Sequence, residues 1–88
     1  MALFEICWKA SAKKELKKLQ STEIKRIVEA VENLSGTPYP QDVRKIQGTE
    51  HTYRIRVGDY RVVYSVETDI LLIEVIKVGH RKDIYRNL

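Results

Sequence analysis

A chain of 88 residues and 10.3 kDa makes one domain and leaves no room for a second; at this size only about 60–65% of the unfolded surface is buried, so any site lies on the surface or in a shallow groove. The hydrophobic fraction of 43% and charged fraction of 32% exclude a disordered or fibrous chain. Sixteen Lys and Arg against twelve Asp and Glu give +4, a balance that fits a polyanionic partner.

From the N-terminus, Met1 to Glu5 lacks a basic segment, an apolar stretch and a small-residue cleavage site, so no signal peptide is expected. Residues 3–8 mix aromatic and aliphatic side chains and predict a short strand. Within it, Cys7 is the single cysteine, which excludes an internal disulfide and a cysteine-based metal centre and suits a reducing cytoplasm. Ser11 is a candidate N-cap for a basic amphipathic helix over 12–19, with Ala12, Leu16 and Leu19 on its apolar side and Lys13, Lys14, Lys17 and Lys18 around the rest. Ser21 or Thr22 then caps a second helix whose Ile24, Ile27, Val28, Val31 and Leu34 fall at helical spacing. Gly36, Pro38 and Pro40 end it, so the two helices form an αα-hairpin followed by a loop.

After His51 the period changes to two. Tyr53, Ile55 and Val57 alternate with Thr52, Arg54 and Arg56; Gly58-Asp59 interrupts; Tyr60, Val62, Tyr64 and Val66 resume, which predicts a β-hairpin on a two-residue turn. Thr68-Asp69 marks another turn. Residues 70–78 form the most apolar strand, expected near the centre of the sheet, broken by Glu74 and Lys77 and far too short to span a bilayer. Residues 79–88 make a polar, basic tail. The expected class is α+β, a single domain over 1–88 ordered β-α-α-β-β-β, with the N-terminal strand and helical hairpin set against an antiparallel-rich four-stranded sheet, the helices on one face and the other left open.

On this hairpin Val57 faces Tyr60, Arg56 faces Arg61, and Arg54 faces Val63, so Arg54, Arg56 and Arg61 share one face. Like charges directly opposite on a sheet destabilise it by up to about 1 kcal/mol. A phosphate held between the guanidinium groups would relieve that repulsion, because guanidinium geometry matches two phosphate oxygens. Solvated side chains, or pairing with Glu67, Glu74 or Asp59, are the competing explanation. Downstream, Lys77, Arg81, Lys82 and Arg86 cluster around Tyr85, a pattern of cations beside an aromatic ring that suits a nucleic-acid surface or a solvated terminus. His51 and His80 stand too far apart in sequence to suggest a metal site. No phosphate-binding or dinucleotide-binding glycine pattern is present, nor a serine or cysteine nucleophile with recognisable flanks.

Residues 53–64, Tyr53-Arg54-Ile55-Arg56-Val57-Gly58-Asp59-Tyr60-Arg61-Val62-Val63-Tyr64, followed by Val78-Gly79-His80-Arg81-Lys82-Asp83-Ile84-Tyr85, resemble the RelE/ParE superfamily of toxins from type II toxin–antitoxin systems, and its RelE branch in particular. The resemblance covers nearly the whole chain and implies the RelE-like microbial RNase fold. For function it implies a metal-independent, cofactor-free endoribonuclease, an mRNA interferase that acts in the A site of the 70S ribosome and is neutralised by a cognate RelB-like antitoxin. The 2′-hydroxyl of the mRNA would attack the adjacent phosphate, leaving a 2′,3′-cyclic phosphate and a 5′-hydroxyl. Carried over by position, Arg54, Arg56, Arg61, Arg81 and Tyr85 would form the active site; Lys77, His80, Lys82 and Arg86, nearby in sequence, are the candidates to contact RNA. Arg54 and Arg56 stand where the family commonly has lysines, and an arginine cannot serve as a base. His80 is a candidate proton donor to the leaving oxygen. The alternative within the superfamily is a ParE-like inhibitor of DNA gyrase without RNase chemistry.

Overall fold

The computed structural model describes residues 3–84, so Tyr85 and Arg86 lie outside the described residues. The elements run β1 (Glu5–Trp8), α1 (Ala10–Lys17), α2 (Ser21–Asn33), β2 (Arg44–Lys45), β3 (Thr52–Val57), β4 (Tyr60–Glu67) and β5 (Leu72–His80). They form one sheet in the order β1-β5-β4-β3-β2. β1 lies parallel to β5, and the remaining neighbours are antiparallel. The expected α+β architecture is therefore present, with the two-residue β2 adding a fifth strand outside β3.

The period-3.6 stripe of α2 does what its spacing dictates. Ile27 and Val31, with Leu34 at the C-cap, are fully buried and join Ala12 of α1 over Ile55, Val57, Val62, Tyr64, Val66, Ile73, Val75 and Val78. Both helices thus cover one face and leave the other open. Their starts differ from expectation. α1 begins at Ala10 behind Lys9, α2 at Ser21 behind Gln20, and neither cap residue makes a side-chain hydrogen bond; Ser11 and Thr22 lie inside the first turn. α1 also stops at Lys17, leaving Leu19 in the link, still packed against the core.

β1 starts at Glu5 because Phe4 is tied to the end of α2: its N–H donates to the Ser35 carbonyl at 2.9 Å, and the Ser35 hydroxyl donates to the Phe4 carbonyl at 2.7 Å. β5 likewise starts two residues later than the apolar run, since Leu71 adopts φ +51 and Ile70 is 67% exposed. It continues through Gly79 and His80, which therefore belong to the sheet and not to the tail.

Along β5 the alternation slips once. Val63 pairs with Lys77 but Tyr64 with Val75, which leaves Ile76 as an extra residue on β5. This bulge lets Ile73, Val75 and Val78 all reach the core while Lys77 stays off it. β1 reaches only as far as Val75. Beyond it the Val78 N–H finds an acceptor in α1, donating to Glu15 Oε1 at 3.0 Å, so this stretch of the β5 edge is covered rather than left unpaired.

The β3–β4 turn is Gly58-Asp59, with Val57 opposite Tyr60, Arg56 opposite Arg61 and Arg54 opposite Val63, the expected register. Gly58 sits at φ +60 and Asp59 does not share the positive φ, the pattern of a II′ turn. A side chain at Gly58 would also meet the Arg26 guanidinium of α2, whose Nη2 is 3.1 Å from an ideal Cβ.

Candidate active site

The open face collects what the hairpin register dictates. Arg54, Arg56 and Arg61 line one cleft of about 400 Å³, on the side of the sheet away from the helices. Two further residues complete its wall, Asp42 and Arg44. Arg44 arrives there because β2 places it directly opposite Arg54, so the face carries two like-charged cross-strand pairs, Arg44 with Arg54 and Arg56 with Arg61. Sequence reasoning missed both Asp42 and Arg44. A two-residue strand carries no period, and only the long-range pairing with β3 brings this loop to the cleft.

The loop is held by aromatic packing. The Tyr64 hydroxyl, on a fully buried side chain, donates to the Pro38 carbonyl at 2.7 Å. Tyr39 packs edge-on to Tyr53 at 5.0 Å, and Tyr53 lies 6.0 Å from Tyr64. Burial pushes the Tyr64 phenol well above its usual value, with Tyr39 and Tyr53 adding to the shift.

Arg61 is the electrostatic centre. Loss of water around it, then the Arg56, Arg54 and Arg81 charges, pull its guanidinium below the usual value, and Asp59 opposes them. It remains a cation at neutral pH. Its Nη1 donates to the carbonyls of Gly58 at 3.1 Å and Tyr60 at 2.9 Å, which fixes the head group beside the turn. Asp42 is the one cleft-lining side chain able to accept a proton, the others being arginines.

Arg81 approaches from the end of β5. Its N–H donates to the Asp59 carbonyl at 2.8 Å, and its Nε lies 4.0 Å from Asp59 Oδ1, an exposed and therefore weak ion pair. Lys77, opposite Val63, stands on the open side of the bulge. Lys82 lies in the exposed turn after β5. His80 is not brought to the arginine cleft. It pairs with Tyr60, meets that ring edge-on at 5.6 Å, and lines a separate cleft of about 330 Å³ with Lys18, Glu23 and Asp59. Glu67 and Glu74, raised as partners for the arginines, occupy register positions opposite Leu72 and Ser65, away from the Gly58-Asp59 turn. Among the described residues no three His, Cys, Asp or Glu side chains gather as a metal site, and no helix is long and apolar enough to cross a membrane.

An open sheet face bearing clustered guanidiniums, backed by two helices on the other face, defines the class. A family model described as the ParE toxin of type II toxin–antitoxin system, parDE, matches residues 6–85, and the chain belongs to the RelE/ParE superfamily of type II toxins. Within it the chain is of the RelE kind. Toxin RelE3 of Methanocaldococcus jannaschii is 40% identical over 63 residues, covering 70% of this chain and 69% of that one. RelE1 of the same archaeon is 34% identical over 77 residues, covering 84% and 86%. Among solved structures, the archaeal RelE–RelB complex from Pyrococcus horikoshii OT3 matches with a TM-score of 0.81 at 32% identity, over 90% of this chain and 96% of the matched chain. The RelB–RelE antitoxin–toxin complex from Methanococcus jannaschii matches at 0.74 and 31%, over 93% and 98%.

Proposed function

We propose that this toxin is a ribosome-dependent endoribonuclease that cuts mRNA in the A site by attack of the 2′-hydroxyl on the adjacent phosphate. The observation that carries the reading is the cleft walled by Arg44, Arg54, Arg56 and Arg61. Such a reaction concentrates negative charge on a pentacoordinate phosphate, and preorganised guanidinium groups stabilise that charge without any further group having to move. Arg81, coupled electrostatically to Arg61, adds charge at the leaving 5′-oxygen and is the group assigned to give it a proton, which solvent then restores. Lys77, Lys82 and Arg86 would hold the flanking backbone.

The 2′-hydroxyl proton needs an acceptor, and none of the arginines can be one. Tyr85, whose phenol would have to be ionised first because its ordinary pKa is about 10, is the group assigned to it, or to stacking on a base; the place of Asp42 in the cleft wall favours that carboxylate as the alternative acceptor. Proton transfer of this kind contributes about 10²–10⁴-fold. Tyr85→Phe and Asp42→Asn, compared in single-turnover cleavage, divide the step between them, and an undiminished rate in Tyr85→Phe removes that residue from it.

Both archaeal structures cited above are complexes of RelE with RelB. A RelB-like antitoxin that is acidic and folds on binding would cover the same cations and silence the toxin in the cytoplasm, where ribosomes are. Cleavage that persists in a stable complex would contradict this.

The test is cleavage of an mRNA positioned on 70S ribosomes, beside naked mRNA and an Arg81→Ala control. The expected result is cuts on the ribosome alone, ending in 2′,3′-cyclic phosphate and lost with Arg81→Ala. No cuts in either sample would overturn the cleavage reading and leave gyrase inhibition, as the ParE resemblance implies, or a toxin that has lost its activity.

A further inference from the structure

We propose that His80 is a positioning residue whose imidazole, on the helix side of the sheet, clasps the turn that carries Arg81 toward the arginine cleft, and that protonation of the ring opens the clasp. The inference rests on the proposed cleavage only for what the turn delivers; the clasp itself is a property of the chain.

Four consecutive amides leave β5. Arg81 donates to the Asp59 carbonyl at 2.8 Å, and Asp83 and Ile84 donate to the His80 carbonyl at 2.8 Å and 3.0 Å. The remaining amide, that of Lys82, donates to His80 Nδ1 at 3.2 Å. One side chain that can titrate therefore completes the hydrogen bonding of the turn. Both ends of the turn are fixed. At the start the His80 ring stands edge-on to Tyr60. At the end Ile84 is fully buried yet stands apart from the core beneath the helices. It lies over Gly79, where a Cβ would come within 3.2 Å of Ile84 Cδ1, and Gly79 is the cross-strand partner of Arg61. The turn thus passes from the helix side at His80 to the arginine side at Ile84.

With Nδ1 accepting, the ring proton sits on Nε2. An imidazolium carries N–H on both nitrogens, so protonation sets Nδ1 against the Lys82 N–H, donor to donor. Histidine is the side chain whose ordinary charge change falls between about pH 5 and 8. The groups facing this ring are Lys18 and Glu23 from the helical side and Asp59 and Tyr60 from the hairpin, with Arg81, Lys82 and Asp83 in its own turn. Charges of both signs therefore surround the ring.

Two variants separate the clasp from packing. His80→Asn keeps an oxygen able to accept the amide two residues on but cannot titrate; His80→Phe keeps a ring against Tyr60 and has no acceptor. In the purified chain, nitrogen-detected NMR is expected to show the Nε2–H tautomer. The Lys82 amide shift should move with protonation of the ring in the natural protein and stay flat in His80→Asn. In single-turnover cleavage on ribosomes, His80→Phe should lower kcat about two- to tenfold, the range of one turn hydrogen bond, with KM little changed. His80→Asn should keep the rate and lack the acidic fall expected of the natural protein. An Nδ1–H tautomer, or a Lys82 amide and a kcat both indifferent to His80→Phe, would overturn the proposal. An NMR signature as expected in a protein that cuts no RNA would leave the clasp standing and retire the cleavage reading.

Discussion

Arg56 and Arg61 face each other across β3 and β4, an arrangement that sheet energetics penalises by about 0.2–1 kcal/mol. Replacing Arg56 with threonine removes the repulsion and supplies a residue suited to strands. Urea denaturation of Arg56→Thr is therefore expected to show a gain of up to about 1 kcal/mol, shrinking as salt screens the pair in the natural chain. Cleavage should fall at least about tenfold, as loss of one stabilising donor in a preorganised site does. A variant that is less stable at low salt would mean that the Arg56 stem packs usefully and that the repulsion is not the governing term. At the back of the sheet, Tyr64 presents the opposite case, a buried polar group that is satisfied. Its hydroxyl donates to the Pro38 carbonyl, so Tyr64→Phe should cost about 1–3 kcal/mol and loosen the loop that brings Asp42 and Arg44 to the cleft. Burial raises the folded-state pKa of this phenol. The corresponding stability is complete below the ordinary tyrosine value of about 10 and is lost as pH rises beyond it. Stability of the natural chain should drop above about pH 10, and more gently in Tyr64→Phe, with Tyr39, also raised by burial, accounting for part of the remainder.

At the scale of elements, α1 is the least well supported. Its N-cap residue, Lys9, has extended backbone but no side-chain acceptor for the first amides, and no acidic residue stands in the first turn. Lys9→Asp supplies both a cap and a charge that suits the helix dipole, worth about 0.5–2 kcal/mol, seen as a Tm gain of several degrees at about 4–8 °C per kcal/mol; no gain would mean that the backbone entry from β1 dictates where the helix begins. The same helix shows where sequence reading stops. Ser11 has the chemistry of a cap, yet the strand-to-helix connection decided its register, because the Lys9 N–H is already committed to the Val75 carbonyl at 2.9 Å. The arginine hairpin was legible because two independent constraints agree there: period two on each strand and a two-residue turn with glycine first. The bulge at Ile76 was not, since Val75, Ile76 and Val78 are all apolar and a one-residue slip among them leaves no trace in hydrophobicity. That slip also set the faces at the end of β5, so the adjacency of His80 and Arg81 in sequence misrepresented their distance in chemistry.

Over the whole molecule, a net charge of +4 understates how the charge is arranged. Register gathers Arg44, Arg54, Arg56, Arg61 and Lys77 toward the hairpin end of the open face, while Glu5, Glu74 and Glu67 take positions opposite Leu72, Cys7 and Leu72 again, toward its other end. On the proposed reading, an RNA strand would meet attraction at one end and repulsion at the other, which would orient it before any base is read. Binding through such a cluster releases counterions, and for single-stranded nucleic acid the logarithm of affinity falls by about 0.7 per contacted phosphate for each unit in the logarithm of salt. With three to four phosphates engaged, a short unstructured RNA titrated against the free chain should give a slope of about −2 to −3. Arg54→Ala should reduce that slope by about 0.7, whereas Glu74→Gln, at the acidic end, removes no phosphate contact and should not reduce it, while raising affinity modestly at low salt. A slope indifferent to Arg54→Ala would mean that RNA does not enter the cleft, and the cross-strand arginine pairs would then need another anion to offset their repulsion.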